Sequence, residues 1–198
     1  MSERQIVICS KRGGVSPVGY RRIDVTSHAK DVFRQCSPFV LGPIPLYGGF
    51  TSKNMENAWQ YAKLYRQFAD DDGNPTDAYY QWARAGWDDR IAHRYPMGKF
   101  TPLCSIWDGR KLSYEEARRV IFVPCYCKAV VQTEAFRELS RLCAAGDKLC
   151  LLDFDGYDPG ELGYTMEDIL SDGKRILGHA LLIKALLEGI DKKYIEQV

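Results

Sequence analysis

The sequence predicts an α+β fold: a predominantly helical single domain with a few short strands. Three observations carry this expectation. The 198 residues are 45% hydrophobic and 27% charged, the mix of a globular chain long enough for one full core. Apolar residues recur at helical spacing in several segments that open on capping residue types. The strand-like runs, QIVICS at 5–10, 22–25 and KLCLLD at 148–153, are short. With no repeat, low-complexity tract or linker to divide it, 1–198 reads as one domain.

In chain order, the run at 5–10 is followed by KRGGVSPVGYRR. Its glycines and arginines suit a solvated turn, or a loop presenting backbone N–H groups and charge to phosphate, although no defined phosphate-loop motif is matched. Residues 27–35 read as a helix capped by Ser27. The segment SPFVLGPIPLYGGF at 37–50 reads as a structured loop or edge strand, because each X-Pro step disfavours helix in the preceding residue. Residues 51–68 read as the central amphipathic helix, and 70–77 as a solvated loop without calcium-loop spacing.

Residues 78–93 have helical spacing, with Tyr79, Trp82, Ala83 and Gly86 on one side. The stretch 94–103 is a Pro/Gly connection, and Asp108-Gly109 marks a turn. Ser113 and Glu116 form a capping box for a helix to Val123, where Pro124 ends or kinks it before helix resumes over 127–132. Thr133 caps 134–144 and Gly146 stops it. Thr165 and Asp168 make a weaker cap for 166–170, and Gly189 closes an apolar helix over 176–187.

Net charge is +1, which gives no global field for steering onto nucleic acid but leaves a local basic patch open. No apolar run approaches the roughly 20 residues of a membrane span, and the N-terminal apolar run is too short for a signal peptide. Seven cysteines, an odd number mostly in apolar contexts, suggest a reduced cytoplasmic protein with buried thiols. Cys125 and Cys127 have C-x-C spacing, and His28, His93 and His179 are scattered. Neither pattern forms a metal or redox motif, no cofactor is called for, and His179 reads as a core histidine inside an apolar helix.

The chemistry-bearing residues are mainly carboxylates. On the 51–68 helix, Met55, Ala58, Trp59 and Ala62 form an apolar stripe, and Glu56, Gln60, Lys63 and Gln67 form a polar sector beside it. Glu56 and Lys63 stand about 10 Å apart along a helix axis, too far for the usual i, i+4 pair. The sector is either a solvated face over a core stripe or an acid, an amide and a base aimed at one site. Asp153, Asp155 and Asp158 in LLDFDGYD follow a buried-looking strand. They are turn formers, or acids presented from a strand end. Paired carboxylates suit glycosidic-bond cleavage, where one stabilises positive charge on the sugar carbon or activates water. Trp59, Trp107 and the tyrosines offer surfaces for stacking a base, and Lys63, Lys174 and Arg175 offer cations for phosphate.

Glu56, Gln60 and Lys63 reproduce the E-x-x-x-Q-x-x-K core of an S-E-H-x-x-Q-x-x-K pattern, with Asn57 in place of the histidine. In this the chain resembles the NADAR family. Lys128-Ala129 with 133–139, the strand and acids at 149–156, and 174–178 resemble further family elements in the same order. Residues 43–187 would form the NADAR-like core and 1–42 an N-terminal extension. The family's Trp-Gly element is replaced by DFDGYDPGELGY, and 70–111 is longer than usual.

The resemblance implies hydrolysis of an N-glycosidic bond on a ribose. Members are similar to enzymes that cleave ribosylamino intermediates of riboflavin synthesis or that remove ADP-ribose from guanine in nucleic acid, and compact proteins of this kind occur in phages. It implies Glu56 as the group that activates water or stabilises the oxocarbenium ion, Lys63 as a phosphate or ribose-hydroxyl anchor, and Asp153 or Asp155 as the second acid. Trp59, Gln60, Trp107 and Arg175 would line the site. The expected partner is a ribosylated nucleotide or ADP-ribose-like molecule, free or attached to DNA or RNA. Two other classes stand beside this: a pocket that binds such a ligand without cleaving it, and a nucleic-acid modification factor using Lys11, Arg12, Arg21 and Arg22.

Overall fold

A computed structural model describes residues 4–190 and 192–196; the first three residues of the N-terminal extension lie outside that range. The chain runs through β1 (Ile6–Ser10), β2 (Arg21–Asp24), β3 (Ile44–Pro45), β4 (Thr51–Ser52), α1 (Met55–Gln60), β5 (Lys63–Leu64), α2 (Asp77–Asp88), β6 (Cys104–Trp107) and β7 (Arg110–Leu112). It continues through α3 (Tyr114–Ala117), α4 (Val123–Val130), α5 (Glu134–Ala144), β8 (Leu149–Asp153), α6 (Met166–Ser171) and α7 (His179–Leu187). This is an α+β single domain. Among the described residues no helix is long and apolar enough to cross a membrane.

The central sheet has the order β1-β8-β2 and is parallel throughout. β8 lies in the middle and is buried along its whole length, which is why it reads as a continuous apolar run that ends in a carboxylate. Ser10 pairs with Asp153 and Asp24 with Leu152, so all three strands end at one edge. Both flanking strands come from the first 42 residues. One face of the sheet packs Ile6, Ile8, Ile23, Leu149 and Leu151 against the main helical core; the other carries a small cluster of Val7, Cys150 and Leu152.

A second cluster joins α2 to the β5-β6-β7 hairpin unit through Tyr61, Leu64, Tyr79, Ala83, Trp87 and Ile106. It depends on Gly86: a Cβ there would sit 2.0 Å from the Tyr61 ring. The seven cysteines are free thiols, with Cys36, Cys125, Cys127 and Cys150 buried.

The structure corrects several expected elements. The helix read over 51–68 is confined to α1, and its cap is Asn54, whose side chain accepts the Asn57 N–H at 2.8 Å. Beyond Tyr61 the backbone is claimed by β6: Lys63 pairs with Ser105 and Leu64 with Cys104. Ala62 C=O also accepts the Ile106 N–H at 2.7 Å. These pairings satisfy the same groups a longer helix would have used.

In place of the helix read over 27–35 stands a 3₁₀ turn, Val32–Cys36, capped by Asp31 rather than Ser27. Ser37, extended ahead of Pro38, ends it. The helix read over 78–93 stops at Asp88. Ser113 and Glu116 do form the capping box, but Pro124 neither ends nor breaks the helix. A wider π turn, Arg118–Phe122, precedes it and accommodates the missing N–H and the crowding of the carbonyl four residues back. The last helix begins at His179 rather than 176, with Gly178 as its cap.

Candidate active site

α1 is short and buried on every side: all six residues, including Glu56, Asn57 and Gln60, are shielded from solvent. A polar side chain in such a place needs partners, and the 3.6-residue period supplies them. Glu56 and Gln60 lie one turn apart on one face, where Gln60 Nε2 donates to Glu56 Oε1 at 2.9 Å. Lys63 Nζ donates to Gln60 Oε1 at 2.7 Å and lies 5.2 Å from the centre of the Trp59 ring. The amide thus links the base to the acid, which were too far apart to pair directly. Burial pushes the Glu56 carboxyl upward, partly offset by the Gln60 N–H and the charges of Lys63, Arg94 and His179. Burial also lowers Lys63 to about 8, against the pull of Glu56.

The opposite wall forms where the parallel strands end, the usual place for a site in such a sheet. Asp153, the last residue of β8, points its Oδ2 at the Ala180 N–H (3.2 Å) and His179 Nδ1 (3.2 Å) at the start of α7. His179 Nε2 donates to the Val25 carbonyl at 2.8 Å. Gly178 is required beside this carboxylate, since a Cβ would lie 2.8 Å from Asp153 Oδ2. Asp155 is held by Arg94, Nη2 to Oδ2 at 3.2 Å.

Arg94 is itself positioned by α1. Asn57 donates to the Asp89 and Ile91 carbonyls at 3.0 and 2.8 Å, and its Oδ1 accepts the His93 N–H at 2.8 Å. These bonds turn the chain out of α2 and toward the cleft.

Between the walls is a cleft of about 490 Å³ that brings together Glu56, Trp59, Gln60, Asp153 and Asp155 from the sequence expectations. Its apolar surface includes Phe39, Phe122 and Phe154, and Arg12 and Arg94 reach it as cations. Lys63 stands behind Gln60 as a supporting charge. Trp107 is elsewhere: it lines a separate, mostly apolar cavity of about 550 Å³ with Tyr47, the two rings 5.0 Å apart. Arg175 pairs with Asp172 at 3.2 Å and faces a third cavity with Tyr157. Lys174 is exposed.

Of the other expected cations, Lys11 pairs with Asp24 at 2.5 Å, Arg21 faces Asp147 at 3.7 Å, Arg12 lies over Phe154, and Arg22 is exposed. Asp158 is a latch: it takes the Arg4 guanidinium at 2.8 Å and the Ile8 N–H at 3.2 Å. Among the described residues no group of three or more His, Cys, Asp or Glu is placed to hold a metal ion.

Phe39, Phe122, Phe154, Arg94 and Arg118 escaped the sequence reading, and His179 was read only as a core histidine. His179 is buried, as that reading expects, and it also lines the cleft. Arg94 and Phe154 sit in connections whose direction no local pattern reveals. Arg118 is fully buried and donates to the carbonyls of Ile169 (3.1 Å), Asp172 (2.7 Å) and Arg175, with its guanidinium 4.4 Å from the Tyr114 ring centre. It thereby holds the turn that delivers α7 to the cleft. Flanked by Glu115, Glu116 and Arg119, it carried no local signal to set it apart from a solvated arginine.

Comparison with family models returns a match over residues 17–183 to a family of unknown function, DUF6939. The chain belongs to the DUF6939 family. That match takes in β2, α1, β8 and the first turns of α7, and therefore both walls of the cleft. No curated protein and no solved structure matches this DUF6939 chain.

Proposed function

We propose that this protein is an N-glycoside hydrolase that cleaves the ribose–base or ribose–amine bond of a nucleotide-derived, ADP-ribose-like substrate. The observation that carries this reading is Glu56: a buried carboxylate wired to Gln60 and Lys63, facing a cleft whose far wall presents Asp153 and Asp155. Two carboxylates across a cleft with aromatic walls suit a reaction that builds positive charge on a sugar carbon. Glu56 takes a proton from water as the water oxygen bonds to the anomeric carbon. The C–N bond breaks with its electrons passing to nitrogen, which takes up a proton from solvent. Phe39, Phe122, Phe154 and Trp59 offer ring surfaces for a base, and Arg12 and Arg94 offer charge for phosphate. The resemblance of the Glu56-Gln60-Lys63 pattern to NADAR proteins supports the same chemistry.

The second reading, a pocket that binds without cleaving, draws on a specific observation: Arg94 and His179 already pair with Asp155 and Asp153. One experiment separates the two. The protein and its Glu56→Gln variant are incubated with ADP-ribosylated guanine in DNA, with NAD and with a ribosylamino pyrimidine phosphate, and products are followed by mass spectrometry. Release of ribose phosphate or ADP-ribose by the wild type, lowered about 100-fold or more in Glu56→Gln, is the expected result. Binding without product selects the second reading, and equal turnover by both proteins removes Glu56 from the chemistry.

A further inference from the structure

We propose that His179 is a positioning residue that holds Asp153 as a fixed anion facing the substrate, leaving Glu56 as the group that moves the proton. This rests on the hydrolase reading above. The Val25 carbonyl only accepts, so His179 Nε2, 2.8 Å away, carries a hydrogen. A neutral imidazole has one N–H, and that bond uses it. Nδ1 would then turn a lone pair toward Asp153 Oδ2 at 3.2 Å. The contact is favourable only with a second proton between the two groups.

The same oxygen takes the Ala180 N–H at 3.2 Å, at the positive end of α7. An ionised carboxylate facing a doubly protonated ring satisfies both donors. A neutral acid, by contrast, would give the Oδ2 hydrogen to Nδ1 and leave the Ala180 N–H the weaker lone pair of a hydroxyl, where the ionised form makes two charge-assisted bonds. All of these bonds use Oδ2, which leaves Oδ1 for the cleft that Asp153 lines.

The surroundings support this division of work. Asp153 and His179 are 4% and 8% exposed, so the charge pair is sheltered from solvent and Oδ2 is fixed by two elements of the scaffold. Among the described residues, His179 faces Asp153 on β8 and Tyr126 on α4, whose ring centre lies 6.0 Å away, and it shares the cleft with Glu56 on α1, Arg12 and His28. Arg94 and Asp155 pair with each other at the same cleft. Glu56 has one oxygen tied to a neutral amide, whereas Asp153 is tied to a cation and a helix end. The two carboxylates therefore sit in different environments, the arrangement by which paired acids acquire different roles. An anion held against the sugar stabilises the oxocarbenium charge without reorganising.

The test has two readouts. Nitrogen-15 NMR of the histidine side chains at pH 7, assigned with single-histidine variants, should show two ring N–H groups on His179. One of them should be lost in Asp153→Asn. A single N–H on His179 in the wild type places the proton elsewhere and overturns the proposal. The pH profile of kcat/KM is then compared between the wild type and His179→Gln, which keeps a neutral donor. Its acid limb should move upward with about a tenfold loss of kcat and little change in KM. A loss of activity with the limb unmoved indicates a merely structural histidine and also overturns the proposal. Two N–H signals with no turnover of any substrate remove the hydrolase reading while leaving Asp153 as a fixed anion of a binding site.

Discussion

Gln60 faces Glu56 with its amide nitrogen and Lys63 with its amide oxygen, and it has no other workable orientation. An ionised carboxylate only accepts and an ammonium only donates, so rotating the amide by 180° would break both bonds. Gln60→Leu leaves Glu56 without its donor and Lys63 without its acceptor. Loss of a hydrogen bond to a charged group is worth about 1.5–3 kcal/mol, so kcat should fall by roughly 10- to 100-fold. Steady-state kinetics on the cleaved substrate checks this; unchanged kcat would remove the amide from the machinery.

Glu56 is held in a place that penalises its charge. Its folded value is raised above the ordinary carboxylate value of 4.5, chiefly by burial. A raised group contributes stability below its unfolded value and loses that contribution as pH climbs through the folded value. Glu56→Gln should therefore raise the thermal midpoint at pH 7, while the gain should disappear near pH 4, where the wild-type side chain is neutral as well. Greater stability with lower turnover is the pattern of a functional residue, and thermal melts of both proteins across pH 4–8 decide it.

Lys63 titrates at about 8 because burial opposes its charge. Above that pH its ammonium no longer anchors Gln60, and kcat/KM should fall. Lys63→Arg stays cationic throughout this range, so its profile should remain flat to at least pH 9, at whatever absolute rate the larger head group permits. A basic limb at the same pH in both proteins would assign that limb to another group.

Asn57 makes three bonds to the backbone of residues 89–93 while fully buried. Histidine has no planar amide with two N–H groups beside an oxygen and cannot reproduce the set. Asn57→His should cost about 2–4 kcal/mol in urea unfolding. It should also expose the segment around Arg94 to limited proteolysis. A stable, protease-resistant variant would show that the loop is held by something else.

The sequence by itself determined the α+β class, the buried β8 strand and the caps at Ser113, Thr133 and Thr165, because each depends on residues within a turn or two of one another. It also put Glu56 and Gln60 on one helix face, since that placement follows from the 3.6-residue period. Tertiary structure decided where α1 stops, because β6 claims the backbone after Tyr61. It also decided which acids meet Glu56, by bringing the end of β8 and the start of α7 to the same cleft from about 100 residues farther along the chain. Trp107 and Arg175 were separated from the cleft, and His179 and Arg94 were added, for the same reason. The direction in which a side chain leaves a loop or a strand end is set by long-range packing, and no local period encodes that direction.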